Sequence, residues 1–120
     1  MEKLDDRALE QVADYFRALA VPLRLKILNA LREGERKVSD LTAATGSSQA
    51  NVSKHLGVLT QNGLVQRTPR GTTVFYRIAD PGTYQLCDVA CGQIGRRYAE
   101  QANLRRMFAV TAEKASRKKR

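Results

Sequence analysis

The sequence predicts a mostly α fold with one small β-hairpin, in the order four helices, two strands and a final long helix. Three observations carry this expectation. Apolar residues recur at helical spacing as far as Asn62-Gly63. The period then changes to a β-branched and aromatic run broken by Pro69 and Gly71. After the breaker Asp80-Pro81-Gly82, helical character returns without interruption to about Ala115.

The first helix is expected from about Asp6 to Leu19, where Ala8, Val12, Phe16 and Leu19 share a face. Pro22 suits the first turn of a second helix, which Leu23, Ile27, Leu28 and Leu31 continue until Gly34 ends it. A short third helix, Val38 to Thr45, keeps Val38, Leu41 and Ala44 together and stops at Gly46. Ser47 or Ser48 can cap a fourth, because a serine hydroxyl accepts from the free N–H groups of a first turn. That helix turns Val52, Leu56 and Leu59 to the core. Two short helices joined across Gly46 form a helix-turn-helix. Val65, Arg67 and Thr72 to Ile78 then read as strands, with a turn over Thr68-Pro69-Arg70-Gly71-Thr72. Arg67, Arg70 and Arg77 are expected on or near the hairpin tip, making it a basic wing. The whole is a winged helix-turn-helix: one domain over residues 1–115, followed by a basic tail, 116–120.

The chain has 120 residues, 21 of them Lys or Arg and 12 Asp or Glu, for a formal charge of +9. Residues 1–60 hold nine basic and eight acidic side chains, whereas residues 61–120 hold twelve and four. Such a balance points to a polyanionic partner, first of all nucleic acid. The tail Ser116-Arg117-Lys118-Lys119-Arg120 is either a solvated terminus or an arm that adds phosphate attraction. No apolar run approaches the roughly 18 residues of a membrane helix, so no membrane partner is expected. The N-terminus has no secretory pattern, and two cysteines are too few for a disulfide scaffold, so a reducing cytoplasm is expected. One histidine, no phosphate-binding glycine loop and no Ser/His/Asp set leave no equipment for an enzyme.

The fourth helix has the make-up of a major-groove reader. With Val52 at the centre of the buried face, Ala50, Ser53, Lys54, Gly57 and Gln61 point away, while Gln49 and Asn51 flank the buried stripe near the N-terminal end. Gln or Asn can read adenine, Ser48 and Ser53 can bond several base edges, and Lys54 can reach guanine or phosphate. No acidic residue occurs from Thr42 to Arg67. His55, at the edge of the core face, is expected to pack half-buried or to touch phosphate. Arg70, at the wing tip, is the leading candidate for a backbone or minor-groove contact.

These residues resemble a known family. Phe16-Arg17-Ala18-Leu19-Ala20 with Pro22-Leu23-Arg24-Leu25-Lys26-Ile27-Leu28 is similar to the opening of the ArsR/SmtB winged-helix repressors. Ser48 to Leu56 and Gly63-Leu64-Val65 resemble that family's reading helix and its exit, and Gly71 to Tyr76 its wing. The resemblance covers about residues 10–100. It implies a homodimer, joined through the first and last helices, that represses at an imperfect palindrome of duplex DNA and releases it to an inducer. Where many members carry two thiolates in the third helix, this chain has Lys37 and Ser39, and no His follows His55 to build the zinc-type site of the last helix.

Cys87 and Cys91 remain. They lie four apart on the last helix, in a seam with Tyr84, Ile94 and Tyr98 spaced 3, 4, 3, 4. Either both are small structural hydrophobes at a dimer interface, or they sense a thiophilic signal. Soft thiolates suit Cu(I) or Zn as a metal ligand pair. The resemblance adds arsenite or antimonite, and reactive sulfur or an oxidant could act on the same thiols. A direct disulfide within the helix is disfavoured, because Cβ atoms four apart lie roughly 5–6 Å from each other and a disulfide wants about 3.8 Å. Modification would therefore disturb the helix or its partner. The rival reading is a constitutive or architectural DNA binder with structural cysteines. RNA is a weaker candidate, since neither an RNP-type aromatic strand nor a KH-type GXXG loop occurs.

Overall fold

The fold was analysed in a computed structural model that describes residues 2–118, with side chains described from 2 to 109. The chain divides into two compact units, one ending at Pro81 and the other beginning at Gly82.

In the first unit, helix α1 (Asp6–Leu19) begins at Asp5, whose carboxylate accepts the Ala8 N–H at 2.8 Å. Helix α2 (Pro22–Ala30) has Pro at its first turn and runs into a 3₁₀ turn, Leu31–Glu33, before Gly34 at φ 127° ends it. Helix α3 (Val38–Thr45) is closed by Gly46 at φ 70°, a left-handed conformation glycine adopts without strain. Helix α4 (Gln49–Gln61) follows after Ser47 and Ser48. Its exit is a Schellman motif: the Leu64 N–H donates to the Leu59 carbonyl and the Gly63 N–H to that of Thr60, with Gly63 at φ 70°. Leu59 and Leu64 are both buried, which adds the apolar contact that fixes the exit direction.

Ile27, Leu31, Leu41, Val52, Leu56 and Leu59 form the centre of the core, drawn from α2, the 3₁₀ turn, α3 and α4. Burial of each such side chain contributes roughly 1.5–3 kcal/mol relative to exposure. The expected helices are all present.

The sheet departs from expectation in two ways. A two-residue strand, β1 (Arg36–Lys37), precedes α3 and pairs antiparallel with Tyr76 and Phe75, so the sheet has three strands in the order β1-β3-β2. Two residues are too few to show an alternating pattern. The hairpin strands β2 (Val65–Arg70) and β3 (Thr73–Ile78) also run closer to the tip than expected, because Pro69 lies within β2 opposite Val74. Proline is tolerated there because β2 is an edge strand, where a missing N–H breaks no ladder. The connection is the two residues Gly71-Thr72, with Gly71 at φ 61°, as a type II′ hairpin turn requires at its first position.

The second unit is helix α5 (Gly82–Lys118), 37 residues and therefore about 55 Å long. It extends a few residues past the expected end. The side chains of the basic tail, 116–120, lie outside the described residues, as do the backbone positions 119 and 120. Among the described residues, no helix is long and apolar enough to cross a membrane.

Candidate nucleic-acid interface

Helix α4, the candidate reading helix, is buried along one face and exposed along the other. Val52, Leu56 and Leu59 are fully buried. Gln49, Ala50, Asn51, Ser53, Lys54 and Gly57 are exposed, as expected from a 100° turn per residue. Ser48 is the N-cap: its hydroxyl oxygen accepts the Asn51 N–H at 3.2 Å. That acceptor role leaves the hydroxyl hydrogen free to donate outward. The first turn of α4 carries no acidic residue, so its positive dipole end stays uncompensated and attractive to phosphate.

His55 is half-buried, and its surroundings were not legible in the sequence. Arg24 of α2 donates its Nε–H to His55 Nδ1 at 3.1 Å. Desolvation by burial lowers the His55 pKa from its ordinary 6.5, and the charges of Arg24 and Lys54 lower it further. Each of these effects favours the neutral imidazole.

The wing arginines are distributed rather than gathered at the tip. Residues opposite one another share a face, so Arg67 sides with Tyr76, while Arg70 and Arg77 side with Phe75 on the other face. Only Arg70 flanks the turn, since Arg77 pairs with Gln66 near the hairpin base. Arg77 donates Nε–H to Gln66 Oε1 at 2.9 Å. Arg70 grips Glu35, with NH1 3.0 Å from Oε1 and NH2 donating to Oε2 at 3.1 Å, and its guanidinium lies 5.1 Å from the Phe75 ring centroid. Glu35 and Arg24 are therefore two partners of candidate site residues that sequence reasoning missed. Each meets its partner more than thirty positions away, and no local pattern reports such a pairing.

On α5, Cys87 is half-buried, Cys91 is exposed, and both are free thiols. Among the described residues, no three His, Cys, Asp or Glu side chains converge where they could hold a metal ion. Two thiols alone do not complete a coordination sphere of the kind zinc prefers.

A capped helix with an uncharged polar and basic outer face, followed by an arginine-bearing hairpin, defines a winged helix-turn-helix DNA-binding regulator. The family model described as "Bacterial regulatory protein, arsR family" matches residues 21–67. The HTH-type transcriptional regulator NmtR of Mycobacterium tuberculosis is 44% identical over 87 residues, 72% of each chain. The chain belongs to the ArsR/SmtB family of transcriptional regulators, which are DNA-binding proteins and not enzymes. The biofilm growth-associated repressor of Xylella fastidiosa is 35% identical over 85 residues, covering 71% of this chain and 74% of the relative. Among solved structures, Rv0081 of Mycobacterium tuberculosis superposes with a TM-score of 0.74 at 31% identity, covering 82% of this chain and 99% of that one. A homodimeric winged helix-turn-helix DNA-binding domain from Mycobacterium bovis gives a TM-score of 0.68 at 35% identity, covering 81% and 93%.

Proposed function

We propose that the chain is a homodimeric repressor that binds an imperfect palindrome of duplex DNA and releases it when Cys87 and Cys91 react with, or bind, a thiophilic inducer. The observation that carries the DNA half is the outward face of α4, where Gln49, Asn51, Ser53 and Lys54 stand exposed over a fully buried apolar stripe. Gln and Asn match the adenine edge, and Ser48, Lys54, His55, Arg67, Arg70 and Arg77 offer donors to phosphate or base edges. Pairing two such helices across a dyad reads two half-sites about one helical turn apart. The homodimeric Mycobacterium bovis domain supports that assembly. So do Ile94 and Tyr98 of α5, which remain more than half exposed in the single chain. In this reading the first and last helices carry the interface, and the protein works with its operator in the cytoplasm.

Cys87 and Cys91 are accessible and one helical turn apart. Another relative, the probable mercury resistance operon repressor of Streptomyces lividans, is 37% identical over 81 residues and is named for resistance to a thiophilic metal. A soft metal or metalloid would find two thiolates on one protomer and could draw further ligands from its partner. Reactive sulfur or an oxidant would act on the same pair. Either event changes the α5 seam, and with it the spacing of the two reading helices.

The test is fluorescence anisotropy on upstream DNA with the protein reduced, oxidised, and treated in turn with As(III), Cu(I), Zn(II), Hg(II) and polysulfide. Release by one agent, lost in the Cys87→Ser and Cys91→Ser variants, is the expected result. Variants that still release DNA with every agent active on the wild type would refute thiol sensing. Binding without sequence preference, with a steep salt slope, would instead establish an architectural protein.

A further inference from the structure

The Ala18 carbonyl lies in the last turn of α1, where carbonyls lack an intrahelical donor, and the chain turns away from it at Ala20 and the extended Val21. Arg24 stands in. Its NH1 group lies 3.3 Å from the Ala18 oxygen and 3.4 Å from that of Arg17, donating to both, while Nε–H reaches His55 on α4. One guanidinium thus ties the end of α1 and the side of α4 to α2.

We propose that Arg24 is a positioning residue of the DNA-reading surface, which fixes His55 as the Nε2–H tautomer and anchors α4 to the end of α1. The proposal rests on the reading of α4 as the DNA-reading helix. The chemistry admits one arrangement. A guanidinium is always protonated and has no acceptor, so the ring nitrogen facing Arg24 Nε must present its lone pair. In a neutral imidazole the proton then sits on Nε2. A ring protonated at both nitrogens would oppose the Arg24 Nε–H with an N–H of its own. The charged groups that act on His55 are Arg24 from α2 and Lys54 from α4, and α1 offers Arg24 the carbonyl oxygens of Arg17 and Ala18. Both charged groups are cations, and together with burial they favour the neutral ring.

The consequence for DNA is directional. His55 acts as a donor through Nε2–H, the form that suits a phosphate oxygen, and its ring plane is set by Arg24 before DNA arrives. Preorganisation of this kind removes an ordering penalty from the binding step. Because α1 supplies the carbonyl end of the same clamp, a displacement of α1 reaches the reading helix through one side chain.

His55 is the only histidine in the sequence, so ¹⁵N-labelled full-length protein shows a single imidazole. The expected spectrum at neutral pH has a pyridine-type nitrogen at Nδ1 and a pyrrole-type nitrogen at Nε2; the reverse assignment overturns the proposal without any variant. Arg24→Gln and Arg24→Lys should each broaden the tautomer mixture and weaken operator binding by about tenfold, the scale of one charge-assisted hydrogen bond. The salt dependence of binding should stay unchanged, since Arg24 neutralises no phosphate. A log K–log salt slope that falls by about 0.9 per protomer would make Arg24 a phosphate contact instead. Wild-type affinity in Arg24→Lys would show that charge alone suffices and overturn the positioning role. If the wild type binds no operator, the reading of α4 fails and the DNA role of Arg24 with it; the tautomer of the free protein identifies that case, because it is measured without DNA.

Discussion

Replacing Glu35 with Gln should tighten operator binding by up to about fivefold, because Glu35 holds the arginine best placed at the wing tip. Arg70 meets both oxygens of the Glu35 carboxylate at 3.0–3.1 Å and lies over Phe75. To meet a phosphate or enter a minor groove, the guanidinium must leave that carboxylate. The Arg70 side chain is 57% exposed and that of Glu35 26%, so the pair belongs to the weak, solvent-screened class worth about 0.2–1 kcal/mol. Its upper end converts to the fivefold gain. The Phe75 stacking survives the substitution and keeps Arg70 near its present place.

The assay is anisotropy on one operator duplex over a range of salt, with wild type, Glu35→Gln, Arg70→Ala and the double variant forming a cycle. Arg70→Ala should cost more affinity when combined with Glu35→Gln than in the wild type, and the gain from Glu35→Gln should shrink as salt screens the pair. Weaker binding by Glu35→Gln would refute the reasoning, since Glu35 would then be orienting Arg70 for DNA rather than withholding it. An Arg70→Ala change that is silent in both backgrounds would remove Arg70 from the interface altogether.

Two further outcomes follow from the same geometry. Gly71→Ala should destabilise the chain by about 1–2 kcal/mol although the added methyl meets nothing within 4 Å, because φ 61° is strained for any residue with a Cβ; a urea midpoint equal to that of the wild type would show that the turn relaxes freely. Because the folded state lowers the His55 pKa, its contribution to stability is complete above the unfolded value of 6.5 and is lost as pH falls below it toward the folded value. Urea unfolding from about pH 7.5 to about pH 5.5 should therefore show an acid-side loss that His55→Gln abolishes, and parallel curves for the two proteins would contradict the assignment.

Helices were legible where local chemistry closes them. Pro22, Gly46, Ser48 and Gly63 each start, cap or terminate a helix within a few residues of themselves, so the start of α2, the end of α3 and both ends of α4 could be read from the chain alone; the Asp5 cap of α1 was not read, and that helix was legible from its apolar spacing. The outward face of α4 followed from the same periodicity. Strand β1 was invisible because its two residues are strand only through pairing with β3, almost forty positions later. Pro69 signalled a turn, yet the edge position of β2 lets it remain in the ladder. Arg67, Arg70 and Arg77 do lie on the hairpin strands but do not cluster at its tip, because register, which decides faces, is set by the turn that Gly71 closes. Arg24 and Glu35 were missed for the same reason: a long-range partner leaves no trace in spacing.

The formal charge of +9 also has a different meaning once the two units are separated. Residues 1–81 hold twelve basic and nine acidic side chains, whereas residues 82–120 hold nine and three. Two thirds of the net charge therefore belongs to residues 82–120, and the winged-helix unit carries only +3. Within that unit several cations already have partners: Arg17 with Asp14, Arg36 with Glu33, Arg70 with Glu35, and Arg24 with His55. The outer face of α4 contributes one cation, Lys54, among neutral donors and acceptors. Phosphate neutralisation rewards every sequence alike, whereas hydrogen bonds from Gln49, Asn51 and Ser53 depend on base identity. A helix face with one cation among neutral polar side chains is suited to discrimination. Under the proposed function, the excess charge of residues 82–120 is the part expected to add a longer-range attraction to any DNA, one that weakens as salt increases.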